Sequence, residues 1–470
     1  MATTNTNAIP QALLRRKPFT TKEQFSTYWF EKHAAIVLPY FLANGVDYYA
    51  QIHDPILTTK ISAEDLNVSE WDGAAELKFK DPKPEGPEGA NRYFQDIVLA
   101  DERKFLVSEA LEHYKMVDGG TVTGDRKVII EDGKVVYELC YLENVKIWQI
   151  EFLKGQFKRL PYPDGDFPGQ TIIITGANCG LGLEAARHFV RLRARLVILA
   201  CRNEAKGWSA KATIEKTTGR TGVVEVWPLD LASFDSVKEF CKRIEDIDRV
   251  DIFIANAGIA TPKFGFVEGF ESTITVNVIS TFLLVILLIP KMKESSQKFD
   301  AKSRVVVVTS DAHHMAKFPE RSASNVFDAF KDPTSKSQDD RYPTSKLLEI
   351  LIVRELTTAT PNVVVNSVNP GYCKSELQRY ATPLRYILVK LGGFFVARST
   401  EVGSRTLFAG AVSGEETNGK YMSNCAIAKP VAWIDTEHGL QIGNKVWVNL
   451  LEVLDTIQPG IKSWLLKGTV

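Results

Sequence analysis

The chain has 470 residues, more than one core usually holds, so two domains are expected. Lys plus Arg and Asp plus Glu both number 57, the net charge is +0 and the pI is ≈ 7.1, a balance that argues against nucleic acid or an anionic membrane as partner. Cys140, Cys179, Cys201, Cys241, Cys373 and Cys425 show no CxxC pair and no metal-ligand spacing, which argues against a metal site and for reduced thiols in a cytoplasmic compartment.

Residues 1–10 are polar and read as a disordered tail, with no basic n-region and apolar h-region of a secretory signal. A first domain is expected over 11–148. Ala12-Leu-Leu-Arg-Arg-Lys17 reads as a short strand, and Thr20 or Thr21 as the cap of a helix that carries Phe25, Tyr28, Trp29, Ala35, Ile36 and Leu38 and closes at Asn44-Gly45. Strands are expected over Val46–Ile52 and Trp71–Phe79, then a loop holding Pro82, Pro84, Gly86, Pro87 and Gly89. A second helix is expected from Asp101 to His113, followed by strands over Lys115–Val122 and Lys127–Glu138. The order β-α-β-β-α-β is that of a ferredoxin-like α+β unit. Such a sheet leaves a face or edge to cover, so a homodimer or higher homo-oligomer is expected.

Residues 149–168 read as a linker. Lys154, Lys158 and Arg159 form a small basic cluster, and Pro161, Pro163, Gly165 and Pro168 break any periodicity.

A second domain is expected over 169–470, an α/β fold with a doubly wound parallel sheet, because strands and helices alternate from Thr171 onward. Its first strand runs into Gly176, Gly180 and Gly182 and then a helix whose apolar positions are Leu181, Ala185 and Phe189. Glycines there let a pyrophosphate approach the amides at the positive end of the helix dipole. The second strand, Arg195–Cys201, ends in Arg202 with no acidic residue. An acid at that place suits the 2′-hydroxyl of NAD and an arginine the 2′-phosphate of NADP, so NADP(H) is expected over NAD(H). A third strand delivers Asp230-Leu231 beside the adenine, and a fourth ends in Asn256-Ala257-Gly258, small enough for the backbone to approach a cofactor.

The apolar run Val276–Ile289 is shorter than the ~20 residues a bilayer needs and carries Asn277, Ser280 and Thr281. It reads as a buried helix that stops at Pro290, not as an integral membrane segment. The strand Arg304–Ser310 brings a serine to its C-terminal end, where open α/β sheets place their sites. Tyr342-Pro-Thr-Ser-Lys346 puts a phenol and an ammonium on one helix face. Moving hydride to a carbonyl builds charge on oxygen and needs a proton donor, yet a free tyrosine with a pKa near ~10 is a poor source. A lysine ammonium beside it favours the phenolate and lowers that pKa. His313 and His314 follow Ser310, but without a GxSxG elbow they read as pocket wall.

Two resemblances attach to these motifs. Arg15-Arg-Lys-Pro-Phe-Thr-Thr-Lys-Glu-Gln-Phe25, Trp29, His33, Asp47-Tyr-Tyr49 and Trp71-Asp72-Gly73 resemble the EthD family of dimeric α/β barrels. That likeness implies His33, Trp71 and Asp72 lining a barrel pocket; the alternative is a barrel that only joins two subunits. Thr175-Gly176-Ala177-Asn178-Cys179-Gly180-Leu181-Gly182, Asp230-Leu231, Asn256-Ala257-Gly258, Asn277, Thr309-Ser310, Tyr342 to Lys346 and Asn369-Pro370-Gly371 resemble the short-chain dehydrogenase/reductases.

The second resemblance implies a Rossmann fold with Tyr342 as acid/base and Ser310 as substrate orienter. Lys346 would hold the nicotinamide ribose and tune Tyr342, while Asn277 would anchor a water relay. Thr175, Asn178 and Leu181 would bind the cofactor with the glycines, and Pro370, Gly371 and Ser375 would contact its nicotinamide side. Residues 377–395 fall at the family's substrate lid, and their apolar character suits a hydrophobic small-molecule substrate. Leu199-Ala-Cys-Arg-Asn203 and Val276-Asn-Val-Ile-Ser280 are similar to retinol-dehydrogenase-like members from fungi, which implies secondary metabolism of polyketide type. The expected function is an NADP-dependent interconversion of a ketone or aldehyde and an alcohol. A barrel with its own lyase, decarboxylase or cyclase step stays open beside it, as does a non-catalytic dinucleotide-binding scaffold.

Overall fold

The computed structural model describes residues 9–58, 68–80, 98–106, 114–135, 152, 155–332, 338–360, 362–374 and 397–467. Ser375, the expected lid over 377–395, most of the expected tail and part of the expected linker lie outside them. The chain divides into two units, Met1–Lys146 and Ile147–Val470.

In the first unit, Thr21 caps helix α1 (Lys22–Tyr28) through a capping box: its hydroxyl accepts from Gln24 N at 3.1 Å and Gln24 Oε1 accepts from Thr21 N at 3.0 Å. A π-helical turn, Trp29–His33, leads into α2 (Ala34–Ala43). The strands are β1 (Gln11–Leu14), β2 (Val46–Thr58), β3 (Gly73–Phe79), β4 (Lys115–Val117), β5 (Val122–Glu131) and β6 (Lys134–Val135), with a helical turn α3 (Leu99–Glu102) before β4. They form one antiparallel sheet in the order β4-β1-β3-β2-β5-β6. Because β3 lies antiparallel between β1 and β2, those two run parallel, the split βαβ expected of a ferredoxin-like unit. Phe25, Trp29, Leu14 and Phe105 pack together, and Val37, Leu38, Tyr49, Ile129 and Ile130 fill a neighbouring cluster.

The last expected strands are placed differently. The strand expected over Lys115–Val122 ends at Val117, and β5 runs unbroken from Val122 to Glu131. Thr121 N donates to Asp118 O at 3.1 Å, closing a turn between β4 and β5. Asp132 and Gly133, both at positive φ (51° and 68°), make the two-residue turn into β6, so the strand expected over Lys127–Glu138 is cut in the middle.

In the second unit, β7 (Thr171–Thr175), β8 (Leu196–Cys201), β9 (Val224–Pro228), β10 (Ile252–Ala255), β13 (Ser303–Val308), β14 (Val363–Asn369) and β15 (Tyr421–Ser423) are parallel, in the order β9-β8-β7-β10-β13-β14-β15. A final strand β16 (Ala426–Ile427) pairs antiparallel with β15, and β11 (Phe266–Val267) and β12 (Phe270–Glu271) form a separate antiparallel pair. β7, β10 and β14 are buried along their whole length, as their unbroken apolar runs require when helices cover both faces. Helices α4 (Gly180–Arg191), α5 (Glu204–Thr218), α6 (Phe234–Glu245), α7 (Ser280–Phe299), α8 (Arg341–Ala359), α9 (Thr400–Val412) and α10 (Glu437–Ile457) build two cores, one on each side of the sheet. Strand order reverses between β7 and β10, and the crevice beyond their C-terminal ends is where such sheets bind ligands.

The apolar run at Val276 sits in a π-helical segment (Thr275–Ile279) that continues as α7. Pro290 does not stop this helix: it lies inside α7, on an exposed position, and the missing N–H costs one backbone hydrogen bond while the helix runs nine residues further. The span Ser272–Phe299 is long and apolar enough to cross a membrane, but 89% of its apolar window is buried inside this unit, the character of a core helix.

Candidate active site

The crevice begins where β7 meets α4. Gly176 and Gly180 have φ of 66° and 62°, the left-handed region glycine tolerates. Gly182 is required by space: a Cβ there would stand 2.7 Å from Asn256 Nδ2 and 2.9 Å from Gly176 O. Cys179 occupies the N-cap of α4 and its side chain makes no capping hydrogen bond, so the first amides of this 12-residue helix face the crevice uncapped. Asn178 is partly exposed beside them, whereas Leu181 packs onto the core.

Thr175 and Asn256 turn inward. Thr175 Oγ1 accepts from Asn256 N at 3.0 Å and Ala257 N at 2.9 Å, while Asn256 Nδ2 donates to Thr175 O at 2.8 Å. They pin two loops rather than reach into the crevice. Leu231 is buried in the core, and Asp230 spends one oxygen on Ala232 N at 3.0 Å, shaping the turn after β9. Arg202 follows β8 directly, is exposed, and makes no ion pair among the described residues. The fit for a dinucleotide therefore rests on the glycine cradle, the uncapped helix end and this unpaired guanidinium.

Ser310, Tyr342 and Lys346 come together. The Ser310 side chain lies close enough to the Tyr342 phenol to favour its ionisation, and Lys346 Nζ lies 5.7 Å from the Tyr342 ring centroid. Burial raises the Tyr342 pKa above its ordinary value, against the lowering pull of Lys346 and of the Ser310 side chain. Lys346 is itself buried and donates to Val308 O at 3.0 Å and Glu349 Oε1 at 2.7 Å. Asn277 is fully buried; its Oδ1 accepts from Ile259 N at 2.8 Å and its Nδ2 donates to Ile259 O and Ser345 Oγ, both at 3.0 Å. Its side chain thus braces the loop after β10 against α8. A Cβ on Gly258, in that loop, would lie 3.2 Å from Asn277 Oδ1 and 3.7 Å from Lys346 Nζ.

A short chain dehydrogenase family model matches residues 170–324. A short chain dehydrogenase/reductase of Cryptosporiopsis sp. is 47% identical over 323 residues, covering 66% of this chain and 99% of the relative. The chain belongs to the short-chain dehydrogenase/reductase family. A short-chain dehydrogenase of Penicillium roqueforti is 40% identical over 340 residues (70% of this chain, 89% of the relative), and one of Emericella nidulans is 46% identical over 279 residues (58% and 89%). As a family member the chain is an oxidoreductase that binds a nicotinamide dinucleotide. An EthD domain model matches residues 17–109, so the first unit carries an EthD domain.

In this short-chain dehydrogenase/reductase the loop after β14 is held from an unexpected side. Asn369 Oδ1 accepts from Gly371 N at 3.0 Å and Asp311 N at 3.2 Å, and Pro370 O accepts from Arg398 Nη1 at 3.1 Å. Gln156, from the stretch expected as linker, bonds both backbone groups of Tyr372. Gly371 (φ 77°) leaves no room for more: a Cβ would stand 2.5 Å from Gln156 Oε1 and 2.7 Å from Arg398 Nη1. Gln156 and Arg398 carry no local sequence signal, since one sits among linker-like residues and the other beyond the apolar stretch. His313 is fixed by Ser310 O at 2.8 Å and Val431 N at 3.1 Å, which uses both ring nitrogens on backbone.

Within the EthD domain, His33 is buried and its Nδ1 meets Asp101 Oδ2 at 2.9 Å. Tyr28 donates to Asp101 Oδ1 at 2.7 Å, and Lys104 Nζ reaches the same oxygen at 2.9 Å. Burial acts to raise Asp101, but hydrogen bonds from His33, Lys104 and Tyr28 outweigh it and hold the carboxyl at about 2. Burial lowers His33 and, with the neighbouring Asp101 charge, pushes Glu102 up to about 7. The neutral imidazole then turns Nε2 toward Glu102 Oε1 at 3.7 Å. Trp71 and Asp72 are occupied elsewhere: the Arg15 guanidinium lies 4.5 Å over the Trp71 ring, and Asp72 accepts from Arg16 N at 2.9 Å and pairs with the Arg16 side chain. No hydrogen bond, ion pair or ring contact among the described residues joins either to His33. In the sequence Asp101 marks only the start of an expected helix, and neither it nor Glu102 carries a local signal for the long-range partnership with His33.

Proposed function

We propose that the second unit is an NADP(H)-dependent reductase acting on the ketone or aldehyde of a hydrophobic small molecule in fungal secondary metabolism of polyketide type. The observation that carries this reading is the convergence of Ser310, Tyr342 and Lys346. The bound nicotinamide supplies the hydride. Ser310 hydrogen-bonds the substrate oxygen and Tyr342 gives it the proton, while the Lys346 ammonium makes the resulting phenolate less costly. Lys346 and the amides at the start of α4 hold ribose and phosphate, and Pro370 and Gly371 border the nicotinamide side. Asn277 serves by bracing the Ile259 loop. Arg202 at the end of β8, without a competing acid, supports NADP(H). Reduction is favoured because NADP pools are kept reduced. The free thiols Cys179, Cys201, Cys241, Cys373 and Cys425 support a cytoplasmic location, and the exposed edge strand β4, with Met116 53% exposed, supports a homodimer through the first unit.

Replacing Tyr342 by Phe tests this reading. NADPH binding is expected to survive while turnover of aromatic ketones and aldehydes falls by at least ~100-fold. Unchanged turnover in the variant would refute it.

A second reading is favoured by the Tyr28–Asp101–His33 chain. Asp101 orients His33 and leaves Nε2 as a base facing the Glu102 carboxyl, an acid/base pair that suits a lyase, decarboxylase or cyclase step. With His33 replaced by Ala, an altered product profile supports that step; an unaltered profile makes the domain structural.

A further inference from the structure

Helix α8 carries a third ionisable side chain in register with Tyr342 and Lys346. Glu349 lies one turn beyond Lys346, is 2% exposed, and places Oε1 2.7 Å from the ammonium. Its Oε2 is buried with no hydrogen-bond partner. A buried carboxylate with an unsatisfied oxygen costs stability, and an apolar residue of similar volume would cost less. A charge kept at such a place, against the active-site lysine, points to a use in the site.

Lys346 Nζ has three N–H donors, of which Val308 O and Glu349 Oε1 take two. The third is thereby fixed in direction. Facing Tyr342 are Lys346 and the Ser310 side chain, which favour its ionisation, and Glu349 and Cys373, which oppose it. Facing Glu349 are Lys346 on its own helix and Thr309 from the end of β13, whose hydroxyl donates to Lys346 O at 2.8 Å. Burial raises the Glu349 pKa, and Lys346 acts against that rise.

We propose that Glu349 is a positioning residue of the reductase site: its carboxylate locks the Lys346 ammonium in place and offsets part of its charge, keeping Tyr342 protonated and able to donate. This rests on the reading of Tyr342 as the acid. Removing the negative charge should let Lys346 act on Tyr342 undiminished and lower its pKa.

The test follows the tyrosinate absorbance of Tyr342 in the complex with NADP⁺, taking the Tyr342→Phe protein as the reference for all other tyrosines. In Glu349→Gln the Tyr342 titration is expected to move to lower pH by about one unit, the effect of a unit charge several Å away at an effective dielectric near ~20. Glu349→Asp, which keeps the charge, should stay near wild type. Glu349→Met serves as a second neutral variant if the Gln protein does not fold. A titration at the same pH in wild type and neutral variants, or in none of them before alkaline unfolding, would overturn the proposal, as would failure of both neutral variants to fold. If wild type binds no NADP⁺, the dinucleotide reading itself fails and this inference with it; binding with an unmoved titration sinks Glu349 alone.

Discussion

Gln156 brackets Tyr372: its Nε2 donates to Tyr372 O at 2.8 Å and its Oε1 accepts from Tyr372 N at 3.0 Å. The pair ties a residue some two hundred positions upstream to the loop that borders the proposed nicotinamide position. Buried hydrogen bonds of this kind contribute about 1 kcal/mol each, and more is lost when partners are left unsatisfied. Gln156→Ala is therefore expected to speed hydrogen exchange at Gly371 and Tyr372 by roughly tenfold or more and to weaken NADPH binding. Unchanged exchange at both amides would show that Arg398 and Asn369 hold the loop without Gln156.

The glycines of the cradle separate two physical roles. A Cβ at Gly182 would press on Asn256 Nδ2 and on backbone at Gly176 and Ala177, all within 3.0 Å, whereas a Cβ at Gly180 meets nothing within 4 Å. Gly182→Ala should destabilise the unliganded protein by about 1–3 kcal/mol, read as a drop in Tm. Gly180→Ala should cost only about 1–2 kcal/mol of left-handed strain but still weaken NADPH, because the open space beside Gly180 is where phosphate would lie. Equal NADPH affinity in wild type and Gly180→Ala would contradict that placement.

His188 gives a pH signature of folding. Burial is the largest cause of its low pKa, about 4, and the nearby Arg191, Arg405 and Arg187 add to the lowering against Glu401. Its folded pKa lies below its unfolded value near ~6.5, so the unfolded chain binds the extra proton as pH falls and stability is lost between those values. From pH 7 to pH 5 this group alone should remove about 2 kcal/mol. Urea unfolding of wild type and His188→Gln at both pH values checks it: the variant should lose less on acidification, and an equal loss would refute the assignment.

The second unit was legible because its signals are local. Thr171 to Gly182 encodes strand, turn and helix within one stretch, and Tyr342 and Lys346 share a helix face by spacing alone. What escaped is carried by long-range or context-dependent contacts. Gln156 reads as linker because its partner lies across the chain, and Glu349 reads as one more charge on a helix until burial shows that it faces Lys346. Pro290 reads as a stop because propensity outweighs tertiary packing in any local view. In the EthD domain, His33 was identified without its carboxylates, and Asp72, chosen by resemblance, serves to hold Arg16 at the end of β1. The Asp132-Gly133 turn was visible as a dipeptide but lay inside a run of strand-forming residues.

The proposed dinucleotide-dependent reductase would read the 2′-phosphate through Arg202. Titration of the purified chain with NADPH and with NADH, repeated with Arg202→Asp, checks this. Tight NADPH binding is expected in the wild type, weaker NADH binding, and loss of the NADPH preference in the variant. Failure of the wild-type protein to bind either nucleotide would contradict it and leave the His33–Asp101 cluster as the place to look for chemistry.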